Sequence, residues 1–260
     1  MHLNIEHSTR YAYDTPVDYT IQQLRLTPQD GFGQRVKRWE LRVNGKIRPH
    51  GDAYGNAMHT LVMDEPHQEV HITAVGEVET GLDLPPVPDL LPLPVYLRAT
   101  PLTAVDEALA RFARYFSGNG RIDEIELHAL MRAVRDRIVY RRGMTNVQTT
   151  AAQAFAAGEG VCQDHAHVFI ACCRHLGVPA RYVSGYLFTE DGHLVESHAW
   201  ADAWVDGGWQ SYDVSNGQRA NGIHVRLATG LDYRDACPVS GVRRGGGVES
   251  MAVQVQISQQ

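Results

Sequence analysis

Six prolines fall within the twenty residues from Leu82 to Pro101, LDLPPVPDLLPLPVYLRATP. Each proline fixes φ and removes a backbone N–H, so neither a helix nor a central strand is expected to run through the segment. It reads as a linker, and the hydrophobic pattern differs on its two sides. The chain is therefore divided into a β-rich N-terminal domain over 1–95, a proline-rich linker to about 101, and a second domain over 102–260. A length of 260 residues suits one large or two modest domains.

Ahead of the linker the pattern alternates with period two. IEHSTRYAYDTPV, KRWELRVNG, HTLVMDE and EVHITAVGEVET read as strands separated by Gly, Pro and Asn, which predicts a β-sandwich-like domain. Beyond Pro101 the period becomes 3.6. LTAVDEALARFARYF places Val105, Leu109, Phe112 and Phe116 on one face, and IDEIELHALMRAVRDRIVY does the same with Ile125, Leu130, Val134 and Ile138. A third helix is expected from about Val161 to Leu176, opening behind Gly158 and Gly160 and stopping at Gly177 before Pro179. Period two then returns in ARYVSGYLF, VESHAWADAWV and WQSYDV, with HVRLATG and MAVQVQI as further strands. Helices followed by an antiparallel sheet give an α+β fold class.

Charge and composition remove several functions. A net charge of −6 without a long Lys/Arg cluster excludes a nucleic-acid partner, whose phosphates need a basic footprint. No apolar run approaches the roughly 20 residues that span a bilayer, so no membrane partner is expected. The start of the chain shows neither a basic n-region nor an apolar h-region, which makes the cytoplasm the expected location. Cys162, Cys172, Cys173 and Cys237 form no disulfide framework and are expected as free thiols.

Cys162 differs from the other three in its setting, GEGVCQDHAH. A thiol in the first turn of a helix meets unpaired backbone N–H groups and the positive end of the helix dipole, both of which favour thiolate. The flanking glycines are expected to leave room for a substrate and to let the Cys162 N–H face a developing oxyanion. Cys172 and Cys173 lie deeper in the helix and read as core. A nucleophile of this kind needs a base and a group to orient it. His198 lies in the strand VESHAWADAWV and Asp213 in WQSYDV, with Asp206-Gly207, a strong hairpin signal, between them. A two-residue turn there pairs Val205 with Gly208 and brings Asp213 opposite Trp200, diagonal to His198 and within side-chain reach. A slip of one residue would send Asp213 to the other face.

With these residues placed, GVCQDHAHVFIACCRHLGVPARYVSGY, SHAW and DVSN together resemble the transglutaminase-like cysteine protease superfamily, in its bacterial form with a β-rich N-terminal domain. HSTRYAYDTPV, LRLTP, YRRGMTNVQTTAAQAF and HVRLATGLDYRDACPVSG extend the likeness over almost the whole chain. The resemblance implies a papain/transglutaminase-like catalytic domain after the linker, with Cys162 as nucleophile, His198 as general base and Asp213 as orienting acid. It implies cysteine-dependent hydrolysis of an amide or peptide bond through a thioester. Amide cross-linking of the transglutaminase type is the alternative within acyl transfer. A catalytically idle binding or scaffold protein on the same fold is the alternative outside it, and the presence of all three triad residues weighs against that. Two departures from the family pattern stand out: Val214-Ser215 where relatives read Pro-Thr, and Leu231 where they read Arg. The second bears on substrate-loop contacts rather than on the triad.

Around the triad, Gln163 and Tyr140 are the candidates for a second oxyanion donor, and Trp200 and Asn216 for the cleft wall. The expected partner is a peptide or another amide-containing substrate. The β-rich first half has three readings that its residues do not separate: bordering the cleft, restricting access to it, or joining copies of the chain into a homo-oligomer. No cofactor and no metal are expected. His165, His167, His175 and Cys172 crowd one helix, but His165 and His167 point to different faces, and metal ligands on a helix recur at i and i+4.

Overall fold

The computed structural model describes residues 1–117, 122–189 and 197–259. The first half runs β1 (His2–Leu24), β2 (Gln34–Val43), β3 (Lys46–Gly51), β4 (Ala57–Met63) and β5 (His67–Thr80). β1 buries every second residue in its first part, Ile5, His7, Thr9, Tyr11 and Tyr13 among them, as a strand with one covered face requires. It pairs with β5 through His2–Ala12 and with β4 through Thr20–Leu24, the register breaking between Ala12 and Val17 around Pro16.

The linker is anchored rather than free. A single 3-10 turn forms over Leu93–Leu97 with proline in its opening positions, where a missing N–H costs nothing. No α-helix or strand runs through the segment, as its prolines require. Tyr96 in that turn is buried, and Asp89 upstream accepts from Arg181 Nη1 at 2.6 Å and from the Trp209 indole at 2.6 Å.

The second half runs α1 (Glu107–Arg114), α2 (Glu124–Arg137), β6 (Val139–Tyr140), α3 (Ala151–Ala157), β7 (Glu159–Gly160) and α4 (Cys162–His175), then β8 (Ala180–Leu187), β9 (Ser197–Val205), β10 (Gly208–Asp213), β11 (Gln218–Arg219), β12 (His224–Gly230) and α5 (Tyr233–Ala236). The helix starts are local in origin. Asp106 caps α1, and capping boxes pair Asp123 with Glu126 at α2 and Thr150 with Gln153 at α3. The strand expected from Val195 begins two residues outside the described residues and is seen from Ser197. Sheet order among the described residues is β11-β10-β9-β8-β12, all antiparallel. α4 is buried from Gln163 to Arg174. Ala199, Ala201 and Ala203 on one face of β9 belong to the same core as α4, and their small side chains let the helix lie close on the sheet.

The tail departs from the division drawn at residue 102. β13 (Val239–Gly245) and β14 (Glu249–Gln259) do not join the second sheet; both pair with β1. The chain therefore returns to its first sheet, and the second region ends near α5. The two regions also share a core, in which Tyr186, Phe188, Val225 and Leu227 pack among the residues of the first sheet. No described helix is long and apolar enough to cross a membrane.

Candidate active site

α3 ends at Gly158, whose φ of 73° is the left-handed conformation that closes a helix. β7 then pairs in parallel with β6, Glu159 beside Val139 and Gly160 beside Tyr140. α4 opens directly afterwards with Cys162 as its first residue, where the terminal N–H groups lack intrahelical acceptors. Asp164 fixes this start by accepting the Val161 N–H at 2.8 Å and the Thr145 hydroxyl at 2.7 Å. Burial holds its carboxyl above the usual carboxylate value despite those bonds.

The glycines serve the backbone, not a substrate. Gly158 supplies the left-handed cap, and a Cβ on Gly160 would lie 2.7 Å from the Asp164 carboxylate. Neither lines the cleft, which corrects the expectation that they make room for a ligand.

Asp206 (φ 52°) and Gly207 (φ 86°) form the two-residue hairpin turn. Val205 pairs with Gly208 and Tyr212 with Ala201, so the next step along the ladder brings Asp213 opposite Trp200. The register read from the sequence is the one found. His198 Nε2 lies 3.0 Å from Asp213 Oδ2, with the carboxylate off the line of a straight hydrogen bond. The same imidazole lines one cleft with Cys162. Cys162 is half-buried and Asp213 fully buried. Burial alone would push the His198 imidazolium down, but Asp213 and Cys162 outweigh it and hold the group up at about 10. Burial would likewise raise the Asp213 carboxyl, and the imidazoles around it hold it well below the usual carboxylate range.

Cys162 and His198 open on a cleft of about 680 Å³ that Gln163, Tyr140 and Asn216 also line. Its lining starts at Tyr140 in sequence, so none of the first 95 residues borders it. Asn216 also holds the acid: its side-chain amide donates to Asp213 Oδ2 at 2.7 Å and its backbone N–H to Oδ1 at 3.3 Å. Ser215 donates its hydroxyl to Oδ1 at 3.2 Å, so the Val-Ser variation keeps a donor for the acid. Trp200 is corrected as a cleft residue. It lies over Gly185, where a Cβ would come within 2.6 Å of the indole, and it walls a different cavity. Its ring stacks on His198, with centroids 6.1 Å apart.

Sequence reasoning missed His224. Its Nε2 lies 2.9 Å from the same Asp213 Oδ2, and its Nδ1 accepts the Asn221 N–H at 3.1 Å. It comes from the start of β12, which pairs with β8 and not with the β9–β10 hairpin, and no local periodicity marks that meeting. His198, Asp213 and His224 bring potential ligand atoms within 4.8 Å of one another. This donor set does not fit a metal, because a His224 that accepts at Nδ1 keeps its proton on Nε2. The helix histidines are engaged as well. His165 faces the Val161 and Ile138 carbonyls at 2.9 Å each, and His167 Nε2 accepts the Tyr233 N–H at 3.1 Å. Burial pushes the His167 imidazolium down to about 3, so it is neutral. Cys172 and Cys173 are fully buried, and burial raises both thiols.

Residues 3–79 match the bacterial transglutaminase-like N-terminal region, and residues 110–214 match the transglutaminase-like superfamily. The second match contains Cys162, His198 and Asp213 and stops short of His224. An uncharacterized protein of Mycobacterium leprae is 30% identical over 275 residues, covering 98% of each chain. One from Mycobacterium tuberculosis is 28% identical over 273 residues, covering 92% of this chain and 86% of the other. Among solved structures, a candidate cysteine protease from Cytophaga hutchinsonii is similar with a TM-score of 0.81 and 25% identity, covering 99% of this chain and 90% of that one.

Proposed function

Because this chain belongs to the transglutaminase-like superfamily, with a bacterial transglutaminase-like N-terminal region ahead of its core, we propose that it is a cysteine-dependent hydrolase of amide or peptide bonds. The observation that supports the reading is one imidazole, His198, that lines a cleft together with Cys162 and has its Nε2 3.0 Å from the Asp213 carboxylate. A pair of this kind stores the nucleophile as thiolate and its proton as imidazolium.

In the proposed reaction the Cys162 thiolate attacks the amide carbonyl carbon, and the oxygen takes the negative charge. The Cys162 N–H at the start of α4 faces that charge, with Gln163 or Tyr140 as the second donor. His198 gives its proton to the nitrogen as the C–N bond breaks, and the amine leaves. Water then adds to the thioester while His198 takes its proton, and the acid departs with the thiolate restored. Asp213 holds the imidazole orientation and balances its charge throughout. A reducing compartment such as the cytoplasm keeps Cys162 available as a thiol.

The test is a screen of peptide, side-chain amide and isopeptide substrates with the parent protein and Cys162→Ala. The reading expects turnover in the parent and a loss of at least about 10,000-fold in the variant. Equal turnover by both proteins would refute it. Incorporation of an added primary amine into product, in place of water, would select amide cross-linking.

A further inference from the structure

We infer that His224 is a positioning residue for this site: a second, permanently oriented imidazole whose Nε2–H holds the Asp213 carboxylate toward His198. The inference rests on the triad reading above and extends it to a residue outside the matched core.

The tautomer follows from the contacts. An amide N–H can only donate, so the Asn221 N–H at 3.1 Å from Nδ1 requires a lone pair on that nitrogen. The one ring proton of neutral His224 then sits on Nε2, aimed at Asp213 Oδ2 at 2.9 Å. Backbone geometry enforces the arrangement, because the His224 N–H returns to the Asn221 carbonyl at 3.0 Å and closes a tight turn around the ring. The His224 side chain is almost wholly buried. Trp200 packs on both imidazoles, edge-to-face on His224 at 5.3 Å and stacked on His198 at 6.1 Å.

Both imidazoles and the Asn216 amide thus converge on a single carboxylate oxygen. Only His198 is able to exchange a proton with the cleft, since the other ring has committed its two nitrogens elsewhere. A donor that keeps its own proton lowers the basicity of the carboxylate, so Asp213 stays ionised and the proton stays on His198. The charged or titratable groups facing this cluster are His198 on β9, Asp213 on β10, Cys162 on α4, and Arg219 and Arg226 across the cavity that His224 lines.

Two variants test the inference against a merely structural role. His224→Leu removes the donor, whereas His224→Gln can return an amide N–H to the Nε2 position. For each folded protein the pH dependence of Cys162 alkylation by iodoacetamide is followed by peptide mass spectrometry, and the tautomer of His224 in the parent is read from its imidazole ¹⁵N shifts. The expected results are the Nε2–H tautomer, an acid limb about one pH unit higher in His224→Leu, and an alkylation rate on that limb lower by up to about 10-fold. His224→Gln is expected to recover most of both losses. An unmoved acid limb in His224→Leu, equal losses in the two variants, or a proton on Nδ1 would overturn the inference. If His224→Leu does not fold, a loss in His224→Gln as large as that of Asp213→Asn decides against it, and a smaller loss supports it. If Cys162 in the parent protein is no more reactive than an ordinary thiol, the triad reading fails and the role of His224 fails with it. Altered limbs on a reactive parent keep both, and unaltered limbs on a reactive parent remove His224 alone.

Discussion

Two aspartates on one hairpin, Asp202 on β9 and Asp213 at the end of β10, are both fully buried and both held as carboxylates. Their partners differ in kind. Asp202 accepts from Arg181 Nε at 2.8 Å, from both terminal nitrogens of Arg226 at 2.8 and 2.9 Å, and from the Ser211 hydroxyl at 2.7 Å. Burial would raise its carboxyl, and the two guanidinium groups bring it down to about 2. Asp213 is surrounded by imidazoles and amides instead. A guanidinium does not give up its proton in a protein, so the Asp202 cluster is a fixed clamp between the sheet, the linker through Asp89 and the first domain's side of the molecule. An imidazolium does exchange its proton. The same buried charge, on the same face of the same hairpin, is held by guanidinium groups in one place and by imidazoles and amides in the other, and only the second set of partners could serve the proton path proposed above.

Substituting each carboxylate by its amide breaks the comparison most sharply. Asp213→Asn should lower kcat/KM by about 10,000-fold while the protein stays folded, since the lost charge is the one that sustains the His198 imidazolium. Asp202→Asn should do the reverse. It leaves two buried arginines short of a counter-charge, which is expected to cost about 3–5 kcal/mol in urea unfolding, with kcat/KM of the folded protein close to the parent's. Equal loss of activity in both variants would erase the distinction.

Acid titration gives a smaller effect with a definite sign. Folding lowers the Asp202 carboxyl from 3.8 to about 2, so its contribution is present above pH 3.8 and is lost as pH falls toward 2. The contribution is roughly 2 kcal/mol, and Asp202→Asn should unfold in acid with a correspondingly flatter pH dependence of stability. The smallest change addresses what the two sites share. Gly207→Ala meets no atom within 4 Å, so it costs only the strain of a Cβ at φ 86°, about 1 kcal/mol. The loss should appear in thermal melting with no preference for either carboxylate, because the turn sets the register of both.

What the sequence discloses follows the range of the interactions. The hairpin was legible because Asp206-Gly207 and the period-two pattern are local, and they place Asp213 beside His198 without reference to any other part of the chain. The start of α4 was legible from its flanking glycines, although their purpose, capping α3 and making room for Asp164, was not. His224 was hidden because it reaches Asp213 through a strand that pairs with β8 rather than with the hairpin. The return of β13 and β14 to β1 was hidden for the same reason. Their strand character is local, but residues separated by more than two hundred positions decide which sheet they join. Trp200 shares alternation with His198, yet periodicity gives the face of a strand and not the cavity beneath it.

The central claim is that His198 carries a proton for Cys162 because Asp213 and the cysteine sulfur together sustain its charge. Folding raises this imidazole from 6.5 to about 10, so its stabilising contribution is complete below pH 6.5 and is lost as pH rises through 10. The measurement is a heteronuclear NMR titration of the His198 ring in the parent protein, repeated in Cys162→Ala and Asp213→Asn. The account predicts a ring still charged at pH 8 in the parent and a midpoint that falls in each variant. A parent midpoint at the ordinary histidine value near 6.5, unmoved by either substitution, would contradict it.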